Sequence, residues 1–128
     1  MRKRYLTVPK NKIGIEECDI GVDYSVNILT YELPEKEFNY LAINGFFNQI
    51  NEVCETLIDD YESEVISTEN LKICKDVLKG SRDEISVFYN ALHQAIEYNT
   101  ILVLDFWYII RNEIINSDEI GWVKMKWY

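Results

Sequence analysis

The sequence predicts an α+β fold: one antiparallel sheet built from N- and C-terminal strands, with three central helices packed on one of its faces. Three observations carry this. Apolar residues alternate with polar ones over residues 20–28 and again over 122–128. Residues 101–110 form an almost unbroken apolar run rich in β-branched and aromatic side chains. Between these stretches, from 35 to 98, apolar residues recur at helical steps of three and four. A chain of 128 residues fits a single domain, 1–128. At 48% hydrophobic, with 3 Trp, 9 Tyr and 5 Phe, it can build a core without disulfides or metals.

In chain order, Tyr5–Val8 alternates weakly and stops at Pro9, which suits a first or edge strand. Ile13 and Ile15 resume the alternation on odd positions, whereas Ile20, Val22, Tyr24, Val26 and Ile28 occupy even ones. The change of parity places a turn within Glu16–Asp19 and makes the N-terminal region a meander of two or three strands. The strand pattern fades by Leu33, and Pro34 suits the first turn of a helix.

From Glu35 to Val65 the spacing predicts a long helix, with Phe38, Leu41, Phe46, Phe47, Ile50, Val53, Cys54, Leu57, Ile58, Tyr61 and Val65 on its apolar face. Gly45 costs about 1 kcal/mol against alanine there. It is the point at which the helix can divide into 35–43 and 46–65. Ser67 or Thr68 caps a second helix that buries Leu71, Cys74, Val77 and Leu78 and ends at Gly80. Ser81 with Glu84 has the spacing of a capping box for a third, whose apolar face is Ile85, Phe88, Leu92, Ala95 and Ile96. Asn99 can end that helix in the left-handed conformation. Ile101–Ile110 fits a strand in mid-sheet, a buried helix being the alternative. Trp122–Tyr128, with Val123, Met125 and Trp127 on one face, reads as a closing strand. Trp107 is expected in the core.

The net charge of −9 is unevenly spread. The first twelve residues hold five bases and no acid, and the last nine hold Lys124 and Lys126. Residues 13–119 therefore carry all 22 acids against six bases, a net of −16. Two blocks contain no base at all: 13–35, with Glu16, Glu17, Asp19, Asp23, Glu32 and Glu35, and 52–69. On the predicted long helix, Glu52, Glu55, Asp59, Asp60, Glu62 and Glu64 form one acidic face. Such a surface repels nucleic-acid backbones and anionic lipid and attracts basic proteins. The same pattern also describes a helix face that meets only water.

Catalytic chemistry has little support. A single histidine, His93, and the absence of any CxxC pair give no zinc site and no Cys–His couple. Adjacent acids such as Asp59–Asp60 diverge on a helix surface, where glycosidase or metal chemistry needs carboxylates converging in a cleft. No phosphate-cradling glycine loop and no GxSxG or HExxH is present. The reading is of no enzyme, no cofactor and no metal. Cys18, Cys54 and Cys74 are scattered, and Cys54 and Cys74 fall on apolar helix faces as small buried hydrophobes. Free thiols suit a reducing compartment. With no signal-peptide pattern and no apolar run long enough for a bilayer, a cytoplasmic, monomeric protein is expected.

In size, acidity and α+β character the chain resembles the small immunity proteins that protect bacteria from polymorphic or contact-dependent toxins. Locally, Leu33-Pro34-Glu35-Lys36-Glu37-Phe38 and Asn44-Gly45-Phe46 resemble the Leu-Pro…Asn-Gly pattern of the SUKH immunity superfamily. Helices follow here where that family returns to strands, so the resemblance bears on role rather than fold. It implies a protein that binds and neutralises a cognate basic toxin, a nuclease domain, by covering its active-site cleft. Glu52, Glu55, Asp59, Asp60, Glu62 and Glu64 would then make the contact, with Tyr61 as an aromatic anchor. The alternative is an acidic regulatory or adaptor domain, or a phage-encoded inhibitor, that binds a basic nucleic-acid-binding host protein.

Overall fold

A computed structural model describes residues 3–22, 24–59 and 63–106. The order is β1 (Arg4–Pro9), α1 (Lys12–Asp19), β2 (Ile28–Leu33), α2 (Glu35–Ile43), α3 (Phe46–Cys54), β3 (Ser63–Ile66), α4 (Thr68–Leu78), α5 (Ser86–Glu97) and β4 (Leu102–Asp105). The strands form one antiparallel sheet in the order β2-β1-β4-β3. The fold is α+β with one antiparallel sheet, as expected, but strands and helices are not segregated along the chain: α1 falls between β1 and β2, and β3 falls between α3 and α4. The strand expected over 122–128 and the expected core residue Trp107 lie outside the described residues.

Register explains how the sheet serves two faces. Leu6 pairs with Tyr31 and Leu104, Val8 with Leu29, and Ile66 with Leu102. Side chains alternate along a strand, so these residues share one face. Leu6, Val8, Ile66, Leu102 and Leu104 are buried there beneath Phe38 and Leu41 of α2, Phe47 and Ile50 of α3, Leu71 and Cys74 of α4, and Phe88, Ala91, Leu92 and Ala95 of α5. Phe38, Phe47, Phe88 and Phe106 meet in this core, with ring centroids 5.3–6.4 Å apart. The edge-to-face pairs among them, Phe38–Phe106 and Phe47–Phe88, add about 0.5–1.5 kcal/mol each beyond the area they bury.

The three expected central helices are thus present on one face, with the first divided. Gly45 takes the left-handed conformation (φ 74°) and separates α2 from α3. The second half is shorter than the spacing predicts, and this is a correction: α3 stops at Cys54 rather than running to Val65. Asn51 explains the stop. Its Oδ1 accepts hydrogen bonds from the Thr56 hydroxyl and the Ile58 N–H, both at 2.7 Å, and its Nδ2 donates to the Ile58 carbonyl at 3.1 Å. Asn70 Nδ2 donates to the carbonyl of Cys54 at 3.2 Å. These side chains give the backbone partners that a continued helix would have used, and the chain turns into β3.

The turn passes through Glu55, which holds φ 54° without being glycine. A left-handed residue other than glycine costs about 1 kcal/mol. Glu55→Gly is therefore expected to raise stability by about 0.5–1 kcal/mol, read as an upward shift of the urea midpoint. A fall in the midpoint would mean that the Glu55 side chain makes a compensating contact.

The N-terminal meander is also corrected. Residues 12–19 form a helix, not a strand and turn, because Asn11 caps it: its Oδ1 accepts from the Gly14 N–H at 2.9 Å. Only Ile28 of the even-position series joins a ladder. Ile20, Tyr24 and Val26 are each more than three-quarters exposed, so their alternation marks no buried strand face. β1 is the first strand of the chain, as expected, and takes a central place in the sheet.

The start of α5 differs as well. Gly80 sits in a short 3₁₀ turn, Lys79–Ser81, and α5 begins at Ser86 with no cap from its own sequence. The cap comes from α2: the buried Glu37 carboxylate accepts from the N–H groups of Val87 at 3.1 Å and Phe88 at 3.0 Å. Asn99 does end this helix in the left-handed region, at φ 53°.

Candidate binding site

The residues expected to form an acidic helix face do not share a helix. Glu52 lies exposed on α3, Glu55 at its left-handed end, Asp59 in the following extended segment and Glu64 in β3. Glu52, Glu55 and Asp59 are exposed. Glu64 is not a freely presented acid: its Oε2 accepts from the Leu57 N–H at 2.6 Å and its Oε1 from the Val65 N–H at 2.9 Å, pinning the turn to the strand. Asp60, Tyr61 and Glu62 lie outside the described residues. The helical period ran on through residues that the Asn51 hydrogen bonds divert into a turn.

The sheet's second face carries a feature that the sequence reading missed. The register that buries Leu6 and Leu104 turns Tyr5, Thr7, Thr30, Val65, Val103 and Asp105 the other way. The helix α1 stands on that side and contacts β1. Between helix and strands is an open cleft of about 700 Å³. The sheet forms its floor. Ile15, Glu16, Cys18 and Asp19 of α1, followed by Val22 and Tyr24, form its wall.

Polar contacts fix both sides. Thr7 Oγ1 donates to Asp105 Oδ2 at 3.3 Å and Ser63 Oγ to Asp105 Oδ1 at 2.8 Å, holding the carboxylate across β1, β4 and β3. The wall is latched to the start of β2. The Lys10 N–H donates to the Asn27 carbonyl at 2.8 Å, Asn11 Nδ2 to Asn27 Oδ1 at 3.0 Å, and Ser25 Oγ to Glu17 Oε1 at 2.6 Å. Gly14 is buried at this crossing, where a Cβ would run into the backbone carbonyl of Asn27. The helix reaches the sheet because residue 14 has no side chain.

The cleft's potential is negative. Glu16, Asp19 and Asp105 line it, and no Lys, Arg or His stands among its described lining residues. The Cys18 thiol feels this. Burial, then the nearby carboxylates of Asp105 and Glu17, push its pKa up to about 11. At pH 8 roughly one-hundredth as much thiolate is present as for a thiol two units lower. Alkylation of Cys18 by iodoacetamide is therefore expected to rise about tenfold per pH unit and to level off only near 11. A plateau near 9 would contradict this environment. Because the folded pKa is raised, the unfolded chain loses its proton first, so stability falls as pH climbs from about 9 towards 11. Burial raises the Cys54 and Cys74 thiols too, as expected of small core hydrophobes.

His93 is exposed, with Lys75 Nζ 3.3 Å from its Nδ1 and Glu97 3.8 Å from its Nε2, a surface cluster. Among the described residues no group of three or more His, Cys, Asp or Glu is placed to hold a metal ion. No described helix is long and apolar enough to cross a membrane. No protein-family model matches the chain, and no curated protein and no solved structure matches it.

Proposed function

We propose that this chain is an immunity-type binding protein that neutralises a cognate basic toxin, a nuclease domain, in the cytoplasm of the cell that makes both. One observation carries the reading. From Glu37 to Leu71 the chain contains eight acids and no Lys, Arg or His. Three of those acids, Glu52, Glu55 and Asp59, are exposed around the end of α3. A nuclease cleft is built to hold phosphates, and carboxylates can take their place there. The attraction speeds encounter by orders of magnitude at low salt, and close charge pairs across such an interface couple by about 1.5–7 kcal/mol. Nucleic acid itself is repelled by the same surface.

The test is growth rescue. The product of the neighbouring upstream reading frame is expressed in a sensitive host with and without this chain, and the two are then co-purified. Restored growth with a 1:1 complex supports the proposal. Toxicity that this chain neither relieves nor binds, or no toxicity at all, overturns it.

A further inference from the structure

The acidic turn after α3 does not account for the cleft on the sheet's second face. We propose that this cleft is a socket for one cationic side chain, an arginine or lysine carried by the basic protein partner. The inference rests on the partner proposed above being basic.

Lining and position support the assignment together. At about 700 Å³ the cleft is roomier than one basic side chain, so it admits such a group without being shaped to it alone. Its floor and wall offer aliphatic surface from Ile15, Val22, Val65 and Val103, which suits the methylene stem of a long basic side chain. Tyr24 lines the cleft and is largely exposed, and a guanidinium over a tyrosine gains about 0.5–1 kcal/mol at an exposed site and more when desolvated. Glu16 and Asp19 on the α1 side supply the countercharge. An anionic group would be repelled by Glu16, Asp19 and Asp105, with no base among the described lining residues to offset them, and a purely apolar one would bring them no charge of opposite sign. Burial raises the Cys18 thiol most, and the carboxylates of Asp105 and Glu17 add to it.

Residues of both base-free blocks line the cleft: Glu16 and Asp19 of 13–35, which bring charge, and the uncharged Ser63 and Val65 of 52–69. A basic surface lying along the turn after α3 can thus reach the socket across β3. Anchors that fill a pocket carry most of the energy in many interfaces, and arginine is among the commonest of them.

The test uses the full chain and needs no partner at first. N-acetyl-arginine methylamide is titrated into isotope-labelled protein and followed by amide chemical shifts, beside N-acetyl-norleucine methylamide and N-acetyl-glutamate methylamide. Saturable shifts at Ile15, Cys18, Val65 and Val103 with the arginine probe, at least about tenfold tighter than with norleucine, are expected. Thr30→Trp adds bulk at an exposed floor position where strand propensity is kept. It should abolish the shifts and weaken the complex with the basic partner about tenfold. Absent shifts, or equal binding of norleucine, overturn the socket and leave the acidic-surface reading standing. Arginine binding with undiminished partner affinity in Thr30→Trp also overturns it. Arginine binding with no basic partner found strikes the functional reading and, with it, the assignment to a protein side chain.

Discussion

Replacing Glu37 with alanine is expected to lower the free energy of unfolding by about 3 kcal/mol, measured by urea denaturation. The carboxylate is buried and receives two backbone N–H groups from the first turn of α5, which packs against β1, β2 and β4. Each bond is charge-assisted, worth about 1.5–3 kcal/mol, and lies at the positive end of a helix dipole. Its removal strands the Val87 and Phe88 donors, while the desolvation of the carboxylate is recovered, so the net falls below the sum of the two. Glu37→Gln keeps one acceptor oxygen but turns an N–H₂ towards the other donor, and should fall between. A loss below about 1 kcal/mol for Glu37→Ala would mean that α5 is held by its apolar face alone.

Gly14→Ala sets two effects of opposite sign against each other. In an open helix the change would stabilise by about 1 kcal/mol. Here the new methyl meets the Asn27 carbonyl, the acceptor for the Lys10 N–H, and lies 3.0 Å from Pro9 Cβ. The obstacle is backbone, which cannot swing aside as a side chain can. Overpacking of this kind costs about 1–3 kcal/mol, so the helix gain is cancelled or outweighed and we expect a net loss of up to about 2 kcal/mol. Lifting α1 also opens the cleft wall, and Cys18 should then react faster with iodoacetamide at pH 8. A stabilised variant with unchanged Cys18 reactivity would show that α1 does not rest on Asn27.

Neither Glu37 as the cap of α5 nor Gly14 as a helix contact was legible in the sequence, whereas other elements were. The core faces of α2 to α5 followed from spacing, because Phe38, Leu41, Phe88 and Leu92 are buried as the periodicity requires, and of the two readings of the apolar run from Ile101 the mid-sheet strand holds for Leu102–Asp105. Local signals misled where a distant side chain decided the backbone. The Ser81–Glu84 pair has capping-box spacing, yet Glu37 caps α5 from another helix. The helical period ran past Cys54, yet Asn51 draws Thr56 and Ile58 into a turn. Alternation at Ile13 and Ile15 suggested a strand, yet Asn11 nucleates α1. The cleft depends on that helix, so it was hidden with it. Its signal was the mixed character of Tyr5, Thr7, Thr30 and Val103, too apolar and aromatic for a sheet face left wholly to solvent.

The acidic surface was legible as charge but not as geometry. Both base-free blocks stand out in the sequence, and a helix would have arrayed 52–64 as one row. The structure instead spreads Glu52, Glu55 and Asp59 around a turn and commits Glu64 to the backbone of Leu57 and Val65. A contact made there is accordingly a cluster around the end of α3 rather than a stripe.

The most direct test of the central proposal is the association rate with the toxin as a function of ionic strength, for the natural chain and for Glu52→Lys/Glu55→Lys/Asp59→Lys. An acidic surface meeting a basic cleft predicts a rate that falls steeply with added salt, by more than about tenfold between low and physiological ionic strength. The triple variant, folded by circular dichroism, should associate slowly and lose that salt dependence. A rate indifferent to salt, or a variant that binds as fast as the natural chain, would contradict recognition through this acidic surface.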